Sequence, residues 1–250
     1  MSIHRKSKYE VNLMKQAGNI VALVHAAMKE AVKEGVTTKE LDEIAFKIIK
    51  EHRADPTFLG YGGFPATICT SINETVVHGI PSNDVVLKNG DIISIDVGAT
   101  FKGFVGDSAW TYPVGEISDE KKMLLKATEE SLFAGLEHMK TNDKLENVAG
   151  AIEDVAKKYN LGIVRQYGGH GVGRVMHEEP FVFNYRTNCP LVLQRGMTIA
   201  IEPMLNLGCD DVDVLDDEWS VVTRDKKPSA HFEHTVHVTD DGPEILTKLL

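Results

Sequence analysis

The 250-residue sequence predicts an α+β fold in which an antiparallel sheet, arranged about a pseudo-twofold axis, is covered by helices. Three observations carry that prediction. Apolar residues recur every three or four positions in two segments of each half, the period of a helix that buries one stripe. Period-two alternation marks strands, above all within Leu87 to Trp110. The second half also repeats the first: Leu193 to Glu202 matches Leu87 to Asp96 as Leu-x-x-Gly-x-x-Ile-x-Ile-acid, and His-x-x-Pro recurs at His78 to Pro81 and His177 to Pro180. Each half therefore supplies two helices, a histidine before a proline and an acid at the same strand position. The economical organisation is one domain over 1–250 with a short N-terminal arm, 1–8.

That arm contains a basic run, His4 to Lys8, which reads as a solvated segment. From Tyr9 to Lys33, Leu13, Ala17, Ile20, Val24, Met28 and Val32 form an apolar stripe, and Gly35 ends the helix. A capping box opens the next one: Thr37 caps, Glu40 reaches back, and Leu41, Ile44, Ala45, Ile48 and Ile49 face inward. Pro56, Gly60, Gly62 and Gly63 then break the pattern. Ala66 to Ser71 and Val76 to His78 read as short strands that lead through His78-Gly79-Ile80-Pro81 into a hairpin.

In that hairpin Ile93, Ile95 and Val97 alternate with Ile92, Ser94 and Asp96. A turn at Phe101 and Lys102 would set Asp107 directly across from Asp96, with Cβ atoms roughly 4.5 to 5.5 Å apart, where like charges repel. A cation between them would remove the repulsion. Two unrelated surface aspartates on a half-exposed hairpin fit this stretch equally well, and the downstream sequence has to decide.

Downstream, Leu124, Leu125, Thr128, Leu132 and Leu136 mark one helix, and Val148, Ile152, Val155, Ala156 and Tyr159 mark another. Gly168, Gly169, Gly171 and Gly173 surround His170 in what reads as a glycine loop. It lacks the Gly-Lys-Ser/Thr ending of a phosphate cradle, so a metal-ligating histidine fits better. With Glu202 and Glu233, four carboxylates can be directed to one place. They could not all stay ionised without compensation. Two divalent cations would balance them, and oxygen-rich ligands with one imidazole suit manganese, iron or cobalt and tolerate zinc.

Composition narrows the function classes. A net charge of −10 disfavours non-specific binding to nucleic acid or anionic membrane, which Lys and Arg would have to drive. Cys69, Cys189 and Cys209 are an odd number without CxxC spacing, so neither a disulfide framework nor a thiolate zinc site is expected. No apolar run reaches the length of a membrane span, and the N-terminus is too polar for a signal-peptide core. The expected location is cytoplasmic.

HGIP, IDVG, GDSAWT, GGHGVG, HEEP, AIEP and SAHFEHTV, in this order and spacing, resemble the type I methionine aminopeptidases of the pita-bread metallopeptidases. The resemblance covers nearly the whole chain. It implies the pita-bread (creatinase/aminopeptidase-like) fold. It further implies that Asp96, Asp107, His170, Glu202 and Glu233 hold two divalent ions of cobalt, manganese, iron or zinc, with Asp107 and Glu233 bridging. Glu202 would shuttle the proton, His177 would meet the oxyanion, and His78 would contact the scissile amide. Phe58, Tyr61, Phe64, Cys69, Met176 and Trp219 would line the methionine pocket, and Asn73, Thr75 and Ser229 match a monovalent-cation site.

The sequence departs from relatives at Phe58 (Cys in some), Gly62 (His in some), Phe64 (often Tyr) and Met176 (often Phe), which bears on pocket shape; plain core packing is an equal reading of Phe58. The short segment from His177 to Glu202 lacks the helical insert of type II enzymes, and no zinc or SH3-binding extension precedes Tyr9. The compact bacterial form is expected. The implied partners are the N-terminal methionine of nascent polypeptides and, transiently, the ribosome, with no membrane, no specific nucleic acid and a monomeric state. Two rivals differ in testable ways. Proline-directed relatives, aminopeptidase P and prolidase, share the ligands but ordinarily carry a further N-terminal domain; non-catalytic modules that dock on ribosomes or RNA lose metal ligands.

Overall fold

A computed structural model describes residues 3–250. Helix α1 (Lys8–Ala31) starts at a capping box in which Ser7 accepts the Glu10 N–H while the Glu10 carboxylate reaches back to Ser7. Helix α2 (Thr38–Glu51) starts at the expected Thr37 and Glu40 box. Leu41, Ala45 and Ile49 of α2 are wholly buried, and removing the leucine and isoleucine side chains from water is worth about 1.5–3 kcal/mol each. Both helices pack on a first antiparallel sheet, in which Ile92–Phe101 lies between Ile68–Ile72 on one side and Phe104–Pro113 on the other. Ile68, Ile93, Ile95 and Val97 meet Val21, Val24 and Met28 of α1 in one core.

The second half is built the same way. Helices α3 (Asp119–Leu136) and α4 (Leu145–Lys158) cover a five-stranded antiparallel sheet. Its order is Pro243–Ile245, His234–Val238, Thr198–Ile201, Gly169–Gly171, Glu178–Val182. Leu124, Leu132, Val148 and Ile152 close on Ile199, Ile201 and Val236 in a second core. The predicted single sheet is thus divided, with two further three-stranded sheets among the described residues. The division follows from the twist and the two separate helix layers, each of which needs its own face of strands to bury against.

Between the halves runs a seam of hydrogen bonds in antiparallel order. The Asp107 backbone exchanges bonds with the Thr235 hydroxyl, the Glu233 N–H donates to the Ala109 carbonyl at 2.8 Å, and the Thr111 hydroxyl donates to the His231 carbonyl at 2.8 Å. Ser108 also donates its hydroxyl to the Glu233 carbonyl at 2.6 Å. This seam brings the acids of the two halves together.

The arm corrects one expectation. Lys6 is buried rather than solvated, and its N–H donates to the Gly196 carbonyl at 2.6 Å. Lys6 alone of the run packs down on the loop before Thr198–Ile201; His4, Arg5, Ser7 and Lys8 are exposed, as expected.

Helix α1 lies so close to the hairpin that Gly106 has no room for a side chain. A Cβ there would stand 2.6 Å from the Gly18 nitrogen and 2.8 Å from the Ala17 carbonyl carbon. Gly106→Ala must push backbone against backbone, and a loss of about 1–3 kcal/mol in urea unfolding is expected, the usual range for overpacking. Unchanged stability would mean that α1 rides higher on the sheet than described.

Candidate metal centre and active site

The hairpin turns at Lys102 and Gly103, both at positive φ, as a two-residue turn matched to strand twist requires. The register therefore differs from the expectation: Asp96 pairs with Ala109, and Asp107 pairs with Gly98. Asp96 and Asp107 are diagonal rather than directly opposed. Because the shift is two residues, both still project from one face, within reach of a shared centre. In the second half, Glu202 follows Thr198–Ile201 and Glu233 precedes His234–Val238, strands whose pairing sets His234 opposite Ile201.

His170 corrects a second expectation. It stands on a strand between Thr198–Ile201 and Glu178–Val182 of the five-stranded sheet, not on a loop, and is buried. The flanking glycines serve close packing: a Cβ on Gly169 would lie 2.2 Å from the Ala200 carbonyl oxygen, and one on Gly171 would lie 2.1 Å from that of Glu179.

Asp107, His170 and Glu233 each offer a ligand atom, and these atoms lie within 4.8 Å of one another. His170 Nε2 is 3.5 Å from Asp107 Oδ2 and 3.4 Å from Glu202 Oε1. Its Nδ1 is held 2.9 Å from the Gly171 carbonyl, which fixes the ring and turns Nε2 toward the acids. Asp96 Oδ1, Asp107 Oδ1 and Glu233 Oε1 are buried without a hydrogen-bond partner. Burial, followed by the charges of Asp107 and Glu202, pushes Asp96 and Glu233 well above the usual carboxylate range. Burial alone would lower His170, but the bond to Asp107 and the charge of Glu202 outweigh it and raise the imidazole to about 9. Orphaned carboxylate oxygens facing one imidazole nitrogen are what divalent transition-metal cations of intermediate softness take. The donor set fits such ions.

Beside the acids opens a cavity of about 570 Å³. All six residues expected in a side-chain pocket line it: Phe58, Tyr61, Phe64, Cys69, Met176 and Trp219. Phe64 meets Trp219 edge to face at 5.1 Å. Phe58 is buried against Gly98, whose missing side chain makes room for the ring; a Cβ there would lie 2.6 Å from Phe58 Cε1. Phe58 thus serves both readings, packing and lining.

His78 and His177 stand at the same cavity. His78 holds a left-handed backbone, φ 61°, a strained conformation that functional sites store. Burial, then His231 and His177, lower its pKa to about 4. Burial, then His170, also lower His177, whose Nδ1 lies 2.8 Å from the Tyr61 hydroxyl. Both rings are neutral near pH 7.

The residues matched to a monovalent-cation site lie near one another, the Ser229 N–H donating to the Asn73 carbonyl at 2.8 Å and Thr75 opening the next strand. The Asn73 side chain is engaged elsewhere. Its Oδ1 accepts from the Lys121 ammonium at 2.8 Å, and its amide donates to Asp91.

Several residues of the cavity wall escaped the sequence reading, among them Gln166, Tyr167, Glu178 and His231. His231 is buried with Nε2 unpartnered, 3.6 Å from Glu202 Oε2 and 4.0 Å from Glu233 Oε2. The signal was available: His231 lies two residues before Glu233, and in extended chain residues two apart share a face.

The model of metallopeptidase family M24 matches residues 12–240. Methionine aminopeptidase 1 of Bacillus subtilis is 50% identical over 245 residues, covering 98% of each chain. Among solved structures, a methionine aminopeptidase from Thermotoga maritima superposes with a TM-score of 0.97 at 41% identity, covering 99% of this chain and 100% of that one. A prolidase from Pyrococcus furiosus shares the fold, with a TM-score of 0.79 at 23% identity over 98% of this chain and 65% of its own.

The crowded acids have a measurable consequence. In the metal-free protein burial and crowding favour protons on Asp96 and Glu233, and the facing acids favour one on His170, so a divalent cation must displace protons to bind. Calorimetric titration of metal-free protein with Mn²⁺ at about pH 7.5 should therefore give heats that differ between HEPES and Tris in proportion to the difference in the buffers' protonation enthalpies. Release should shrink as pH rises through the His170 value. Equal heats in both buffers would contradict this account of the site.

Proposed function

This chain belongs to metallopeptidase family M24, and on that premise we propose that it acts as a methionine aminopeptidase, removing the first methionine of a polypeptide when the second residue is small. The observation that carries the proposal is the continuity of two unlike surfaces. An apolar and sulfur-containing pocket opens directly onto the carboxylate cluster. The pocket suits an unbranched thioether side chain, which gains from contact with aromatic rings. The acid-rich floor suits the free α-amine that only a chain terminus presents.

The cluster binds divalent metal. The proposal adds that two ions are held, by Asp96, Asp107, His170, Glu202 and Glu233. Bound there, they would supply Lewis acidity that lowers the pKa of water and polarises a carbonyl. The chain's own residues do the rest. Glu202, partly buried and facing His170 and His231, carries the proton from the attacking water to the leaving amine. The His177 tautomer that carries its proton on Nε2 donates to the developing oxyanion, and in that tautomer Nδ1 accepts from the Tyr61 hydroxyl 2.8 Å away. Neutral His78, between Trp219 and Tyr167, contacts the scissile amide. The rings around the cavity exclude water from the reacting bond. A nascent polypeptide is the natural substrate in this reading, with the chain working as one catalytic domain.

A Met-Ala-Ser peptide should be cleaved, Met-Lys and Leu-Ala peptides spared, and an X-Pro dipeptide left intact. Preferential hydrolysis of X-Pro would instead favour the proline-directed relatives. Chelation should abolish turnover, and a divalent transition metal should restore it.

Loss of an oxyanion donor typically lowers kcat by about 10²-fold. His177→Ala should show that fall while metal content and most substrate binding persist, whereas His170→Ala should lose metal and activity together. Equal metal loss in both variants would refute the division of roles.

A further inference from the structure

Away from the carboxylate cluster, a buried ion pair joins the N-terminal arm to the rim of the cavity. Lys6 Nζ lies 2.5 Å from Glu178 Oε2, and the two side chains are 2% and 17% exposed. The other carboxylate oxygen accepts the Arg174 N–H at 2.9 Å and, more weakly, the Val175 N–H at 3.5 Å. Residues 173–178 are therefore wrapped around a single carboxylate. Gly173 leaves room for the pair as it stands, since a Cβ there would lie 2.5 Å from both Glu178 Oε1 and Lys6 Cε and would displace those side-chain ends.

This loop carries Met176 and His177. Its inward anchors are the buried Met176 and the Gly173 carbonyl, which accepts the Val105 N–H at 2.8 Å, while Val175 is 57% exposed. The arm is itself fixed. The Lys6 N–H donates to the Gly196 carbonyl at 2.6 Å, and the next residue, Ser7, caps α1. Glu10 of that capping box also takes Arg174 Nη2 at 3.3 Å, while the Arg174 guanidinium lies 4.4 Å from the centre of the Phe104 ring. The loop is gripped from the arm's side at both Arg174 and Glu178.

We propose that Lys6 is a positioning residue for catalysis: its buried ammonium holds Glu178, Glu178 holds the 173–178 loop, and the loop sets His177 against the scissile bond. The proposal rests on the reading of His177 as an oxyanion donor. A carboxylate deprived of its buried partner turns toward water, and the backbone it organises goes with it. A catalytic donor displaced by an ångström loses most of its effect on the transition state while substrate still binds. The arm thereby acts on the reaction without touching substrate.

The test compares wild type, Lys6→Met and the double variant Lys6→Met/Glu178→Gln, all loaded with the same metal. The double variant leaves no buried charge unpaired, so it separates loss of stability from loss of position. In both variants kcat on Met-Ala-Ser should fall by about 10-fold or more with KM changed less than about 3-fold. Metal content should stay at the wild-type level. Trypsin should cut after Arg174 several-fold faster than in wild type, well below the melting temperature. Wild-type kcat and wild-type cleavage in the double variant would overturn the proposal, as would a fall in kcat matched by a fall in bound metal. A wild-type enzyme inert toward Met-Ala-Ser would sink the functional reading instead, and the cleavage rates would still decide whether Lys6 holds the loop.

Discussion

Carboxylates forced together out of water are the constraint on which the rest of this structure depends. Asp96 and Asp107 come from one hairpin, Glu202 and Glu233 from its counterpart, and the seam of backbone and hydroxyl hydrogen bonds leaves them no freedom to separate. Repulsion among ionised acids at such range, in a poorly solvated site, costs far more than a seam hydrogen bond returns. The fold holds the arrangement because each half is anchored by its own helix pair and core. Divalent cations turn the same repulsion into attraction, so the scaffold's rigidity becomes affinity.

Rigidity of this kind needs chain segments in close contact, which explains four of the glycines. Gly169 and Gly171 let the His170 strand lie against its neighbours, Gly98 admits Phe58, and Gly106 admits α1. None of these four is at a turn. Their common property is a missing Cβ where another chain segment already stands.

Periodicity exposed the helices, and the internal repeat exposed the twofold organisation, because both are properties of residue order alone. Asp96 and Glu202 could be placed at matching strand positions for a related reason, since a strand that alternates apolar and acidic residues states which face its acid takes. The five-residue set as a whole came from the family resemblance. Register was not legible. The sequence placed the turn at Phe101 and Lys102, whereas Lys102 and Gly103 take the positive φ angles, and the choice rests on turn twist rather than on any hydrophobic pattern. His170 was assigned to a loop because glycines ordinarily mark loops, and only tertiary contact reveals that these serve a packed strand. Lys6 was read as solvated because a basic run at a chain end normally is; its acid lies 172 residues away, beyond what local sequence can signal. His231 could have been found, since its place two before Glu233 fixes its face.

Three of the four histidines around the cavity show how one residue type is given different chemistry by position alone. His170 faces Asp107 and Glu202, so a charge on its ring is welcomed and its pKa rises to about 9. His78 and His177 stand a few ångströms away among aromatic rings and other imidazoles, where burial and like charge keep them neutral. A neutral imidazole can donate one hydrogen bond without bringing a second positive charge into a site that must also admit cations. Were His177 cationic, it would compete with divalent ions for the same carboxylates. The aromatic wall that shapes the pocket is therefore also what keeps the two mouth histidines uncharged, and pocket and catalyst cannot be altered independently.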